Sequence, residues 1–112
     1  MTSKSPHKFL ILLSLTALAG TTFADISTDR QTQLDSLLTH DCGSCHGLKR
    51  NGGLGPALHV KDMQKYSIEA LVAVILYGIP DSAMPPWGEL LSKDDARYLA
   101  EELLAPKQIT PD

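Results

Sequence analysis

The chain has 112 residues, with ten basic and thirteen acidic side chains and a formal charge of −3 at neutral pH. A chain this short allows one small domain with little surface to bury, so a staple or a cofactor is expected to help hold it together. The acidic balance excludes nucleic acid as a partner, because neutralising phosphates needs a concentrated basic face.

The first 24 residues read as an export signal. Lys4, His7 and Lys8 form a basic start, Phe9 to Ala19 is apolar, and Thr22-Phe23-Ala24 supplies small residues where a signal peptidase reads. The apolar run is shorter than the roughly 20 residues a bilayer-spanning helix needs, and a retained anchor is the alternative reading. Cleavage after Ala24 leaves residues 25–112, with eight basic residues against all thirteen acidic ones, a formal charge of −5. No second long apolar segment follows, so the mature domain is expected to be soluble, without stable membrane insertion, and monomeric.

Three helices are expected. The first runs from about Asp29 to Asp41, with Thr28 as N-cap, Gln31 completing a capping-box pattern, and Leu34, Leu37 and Leu38 on one face. A long loop follows from Gly47 to about Tyr66, where Gly52, Gly53, Gly55 and Pro56 oppose regular structure. The second helix spans Ser67 to Tyr77, capped by Ser67 and stopped by Gly78 and Pro80. A loop with Ala83-Met84-Pro85-Pro86-Trp87 leads to the third, Lys93 to Leu104, with Ser92 and Asp95 as a capping box. No strand or repeat stands out. The reading is all-α with long loops, and loops this long imply that something else fills the centre.

That something is indicated by Cys42-Gly43-Ser44-Cys45-His46. C-x-x-C-H is the attachment signature of a c-type haem. Two thiols three residues apart at a helix end can add to the vinyl groups on one porphyrin edge, and His46 then lies where its imidazole reaches the iron. A thioredoxin-like site would follow a strand in a βαβ pattern, a structural zinc would need four ligands, and a disulfide across two residues would be strained and staple almost nothing. None of these fits as well as one covalently attached haem c.

Met84 is the best candidate for the opposite axial ligand, since Pro85 and Pro86 stiffen its loop; Met63, His59 and His40 are the alternatives. His/Met ligation raises the reduction potential and fills both axial positions, which suits a single-electron carrier rather than an enzyme. Pro56 has a carbonyl but no N–H, and so suits the role of acceptor for the second ring nitrogen of His46. Trp87 is expected to pack at the haem edge, where its indole N–H could bond a propionate. Basic residues concentrate in the central segment: Lys49, Arg50, Lys61 and Lys65 against Asp62 alone. Gathered near the haem rim, they would steer the protein towards an acidic partner.

Together these segments resemble the class I monohaem cytochromes c. The stretches Asp41 to Leu48, Gly52 to Leu58 and Ala83 to Trp87 are most similar to cytochrome c-55X, encoded beside the haem d1-containing nitrite reductase of denitrifying bacteria. The resemblance implies a small class I fold wrapped around one haem, with thioethers at Cys42 and Cys45, His46 as proximal ligand and Met84 as distal ligand. It also implies a periplasmic place in denitrification, with nitrite reductase or the proteins that mature its d1 haem as redox partners. A haem-based sensor or ligand-binding protein with a labile Met84 is the alternative function.

Overall fold

The computed structural model describes residues 25–105 together with Thr2; the expected export signal and the tail beyond Ala105 lie outside these residues. Among the described residues five α-helices follow in order: α1 Thr28–Leu37, α2 Gly43–His46, α3 Val60–Met63, α4 Ile68–Tyr77 and α5 Lys93–Leu104. A π-helical turn, Leu38–Cys42, joins α1 to α2, so the chain from Thr28 to His46 is one continuous helical rod. No strand occurs among the described residues.

The first helix departs from its expected bounds at both ends. Ser27, not Thr28, is the N-cap, its hydroxyl accepting from the Arg30 N–H at 3.3 Å. Gln31 reaches past the cap and donates to the Ile26 carbonyl at 3.0 Å. Downstream, the rod continues through Cys42 to His46 rather than stopping at Asp41. The expected loop from Gly47 to Tyr66 also contains one helical turn, α3, too short to show a helical period; its Met63 is buried in the core.

The other two helices have the expected caps. Ser67 accepts from the Ala70 N–H at 3.1 Å. Ser92 and Asp95 form a reciprocal box, with Asp95 N–H on the Ser92 hydroxyl at 3.1 Å and Ser92 N–H on the Asp95 carboxylate at 2.9 Å.

α5 is the hub, packing on α4, α1 and α3. Ala96 and Ala100, both fully buried, let neighbouring backbones approach, while Leu99 and Leu103 join Leu34, Leu38, Leu71 and Val72 in a single core. Polar groups pin α5 to α1. Arg30 donates to both Asp95 oxygens, at 3.0 and 2.8 Å, and the Tyr98 hydroxyl donates to Asp35 at 2.8 Å.

Asp95 therefore serves the helix cap and the interhelical pair at once. Its bond from Arg30, helped by the Ser92 donors and opposed by burial, lowers its pKa from 3.8 to about 2. The folded-state value lies below the ordinary one, so this stabilisation is complete above about pH 4 and is lost as pH falls towards 2. Asp95→Asn is expected to cost about 1–2 kcal/mol at pH 7, roughly 5–15 °C in Tm for a domain of this size. Thermal melts between pH 2 and 7 should show the variant losing less than the native chain below pH 4, so that the two converge.

Candidate functional site

The π-turn places the cysteines. In an α-helix each residue turns about 100°, so Leu38 stands about 40° round from Leu34. The wider turn advances only about 80° per residue, which brings Cys42 about 40° back, directly in line with Leu34. Leu34 and Leu38 are buried, and Cys42 packs half-buried against the core they belong to. Burial, with Asp41 beside it, pushes the Cys42 thiol up to about 11. Such a group is a protonated thiol at neutral pH, unlike the exposed low-pKa thiolate of redox enzymes. Cys45 and His46 follow within the next turn, on α2.

Beyond His46 the chain folds back over the end of its own helix. The Gly52 N–H donates to the His46 carbonyl at 2.8 Å and the Gly55 N–H to the Cys45 carbonyl at 2.9 Å, satisfying groups that a helix C-terminus leaves open. This return sets Pro56 against the imidazole: His46 Nδ1 lies 2.7 Å from the Pro56 carbonyl oxygen. A carbonyl only accepts, so Nδ1 carries the proton and the Nε2 lone pair is left available. Gly55 cannot be larger, since a Cβ there would stand 2.7 Å from both Nδ1 and Cε1 of His46.

The second loop repeats this device on α4. The N–H groups of Gly78, Trp87 and Gly88 donate to the carbonyls of Val74, Ile75 and Leu76 at 2.9–3.0 Å. Met84, half-buried, is held between them. Its N–H donates to the Ser82 hydroxyl at 3.2 Å and its carbonyl accepts from the Ile79 N–H at 3.3 Å. That carbonyl would be only 2.7 Å from a Cβ on Gly78, which has φ +67°. Trp87 packs half-buried on the core, beside which Cys42, Leu58, Ile75 and Leu76 also sit.

The expected site residues thus fall on two helix ends. Cys42, Cys45, His46 and Pro56 are brought together at one, and Met84 and Trp87 are held at the other. Ser82 was missed by sequence reasoning, although a serine just after Pro-Asp and two residues before the methionine is a readable turn signal. Of the other candidate ligands, Met63 is buried in the core, His40 is exposed, and His59 lines a cleft of about 350 Å³ with Thr39, Leu48, Lys49, Arg50, Leu58 and Val60. The four basic residues are divided: Lys49 and Arg50 line that cleft, Lys61 is on α3, and the Lys65 ammonium sits 5.2 Å over the Tyr66 ring. Among the described residues, no three His, Cys, Asp or Glu side chains come together as a metal cage.

Residues 29–101 match the family described as cytochrome c oxidase, cbb3-type, subunit III. The chain is 46% identical to cytochrome c55X of Pseudomonas aeruginosa over 101 residues, covering 88% of this chain and 85% of that protein. It is also 46% identical to cytochrome c55X of Paracoccus denitrificans over 95 residues, covering 85% of this chain and 88% of that one. The chain belongs to the cytochrome c55X family. Among solved structures, the c-type cytochrome NirC is 51% identical with a TM-score of 0.69, covering 70% of this chain and 93% of that one. The dihydro-haem d1 dehydrogenase NirN, solved in complex with DHE, is 28% identical with a TM-score of 0.61, and the match covers 70% of this chain but 17% of that larger one.

Membership of the c55X family makes the chain a c-type cytochrome and an electron carrier, with covalently bound haem c and a small all-α cytochrome c fold. The residues present fit that group. Two cysteines and an imidazole with its Nε2 free lie together, and the half-exposed wall of Leu58, Ile75, Leu76 and Trp87 offers an apolar face.

Proposed function

We infer that this chain carries one haem, ligated by His46 and Met84 and joined to Cys42 and Cys45, and exchanges single electrons in the periplasm within the nitrite reductase system. The observation that carries the ligand reading is the 2.7 Å contact of His46 Nδ1 with Pro56, which orients the imidazole and leaves Nε2 available to an iron. When bound, the haem supplies a one-electron couple. The chain's own part is to hold it. Cys42 and Cys45 fix one edge, Pro56 sets the proximal ring, Ser82 and Gly78 position the Met84 backbone, and Trp87 with Leu58 excludes water from the crevice. The mature domain, residues 25–112, acts as a monomer and forms the small transient contacts that turnover of a carrier requires.

The denitrification reading is supported by the relatives: cytochrome c55X proteins, and the structural likeness to NirC and to part of the dihydro-haem d1 dehydrogenase. The partner is nitrite reductase or a protein maturing its d1 haem. Dehydrogenation removes two electrons, so a one-haem acceptor in such a reaction is consumed two per product.

Stopped-flow mixing separates the two directions. The reduced protein is mixed with nitrite reductase, and the oxidised protein with the dehydrogenase and its dihydro-haem d1 substrate. Rapid change of the haem α-band in one arm, in a two-to-one ratio in the second, is the expected result. Exchange with neither partner would remove the denitrification assignment and leave the carrier chemistry in place.

A further inference from the structure

Two non-glycine residues among those described have left-handed backbone, Arg50 and Asp81, each with φ +59°. Asp81 is explained locally. It follows Pro80 in a turn closed by the Ser82 N–H on the Ile79 carbonyl at 3.2 Å, and such turns take a positive φ at the third residue. Arg50 has no comparable reason, and a long side chain in this conformation is strained.

What the conformation gives Arg50 is three anchors. Its N–H donates to the Gly47 carbonyl at 2.8 Å, and its carbonyl accepts from the Leu58 N–H at 3.0 Å. Its guanidinium Nη1 donates to the Glu102 carbonyl at 3.4 Å, across 52 residues of sequence. Glu102 lies in the last turn of α5, a helix with no basic residue of its own there. Arg50 therefore brings a cation to the negative end of the helix dipole. The two backbone anchors bracket the segment that contains Pro56, two residues before Leu58.

We propose that Arg50 is a positioning residue for His46: by tying the 47–58 loop to the end of α5, it holds the Pro56 carbonyl on the imidazole. The consequence for the iron rests on the reading that His46 is its ligand. The consequence for the His46–Pro56 hydrogen bond does not.

The test uses the holoprotein in its diamagnetic reduced state. Arg50→Gly removes the side chain while relieving the backbone strain, and Arg50→Asn, which also tolerates this conformation, is the second variant. Both should keep native helix content and covalent haem. In both, solvent exchange of the His46 Nδ1 proton, followed by NMR, should accelerate tenfold or more. The midpoint potential should rise, because an imidazole that shares its proton less with Pro56 is a poorer donor to iron. Arg50→Lys, which keeps a cation able to reach α5, should bring both the exchange rate and the potential part of the way back to the native values. Exchange and potential equal to the native protein in Arg50→Gly and Arg50→Asn would overturn the proposal. Absence of iron-ligand shifts on His46 in the native protein would refute the ligand reading alone, while the exchange comparison would still decide the role of Arg50.

Discussion

A chain with both Cys42 and Cys45 replaced by serine will lose cooperative unfolding. The folded core is small: among the described residues only Leu34 and Leu99 are both large and fully enclosed. Around it stands a half-exposed wall of Leu58, Ile75, Leu76 and Trp87. Completing the burial of large apolar side chains is worth about 1.5–3 kcal/mol each from full exposure, so finishing four half-covered ones yields roughly 3–6 kcal/mol. Domains of this kind have total stabilities of about 5–15 kcal/mol, and small ones lie at the lower end. Without the covalent haem, that contribution and the crosslink between two helix turns are both missing. Circular dichroism and Trp87 fluorescence should then show a broad, shallow melt in place of a sharp transition. A steep coincident transition by both probes in the double-serine chain would show that the helices suffice alone.

The elements that were legible in the sequence are those whose signals are local. Ser67 and the Ser92–Asp95 pair sit next to the helices they cap, and the apolar period of α4 needs no tertiary contact to be read. The same holds for Pro56, whose missing N–H and retained carbonyl define the only bond it can offer His46. What escaped depends on contacts distant in sequence or on the chain's fine geometry. Ser27 competes with Thr28 one residue away, and either side chain could cap. The π-turn inserts no recognisable residue type, yet it decides that Cys42 lines up with Leu34. Arg50 reads as one more loop charge until its carbonyl is seen on Leu58 and its guanidinium on the end of α5.

The two loops follow one construction. Each leaves a helix C-terminus, returns its N–H groups to the last carbonyls of that helix, and by that return fixes a carbonyl or a sulfur-bearing residue at the helix end. Segments 47–58 and 78–88 need little apolar burial of their own, because the backbone bonds that cap α2 and α4 hold them. That explains how Gly/Pro-rich stretches, which form no regular structure, can still position groups closely.

Met84→Ala will lower the midpoint potential on the order of 0.2 V, a fraction of the roughly 0.8 V range that axial ligands span. On the proposed ligation, the Met84 thioether would favour the reduced iron, and its loss would leave water or a stronger donor in its place. The oxidised variant should lose the weak far-red sulfur-to-iron band, and the reduced variant should bind carbon monoxide that the native protein excludes. Stability should change little by comparison, since Met84 is half-buried and its backbone bonds to Ser82 and Ile79 do not need the side chain. Met63→Ala is the opposite case. Met63 is buried within the core, and its truncation should cost about 2–5 kcal/mol of stability while leaving the band and the potential in place. A band that persists in Met84→Ala and disappears in Met63→Ala would transfer the distal-ligand role to Met63. Because α3 would then have to swing its only buried side chain out of contact with the core, the same variant should melt at nearly the native temperature, and the two measurements together leave no ambiguity about which sulfur the iron uses.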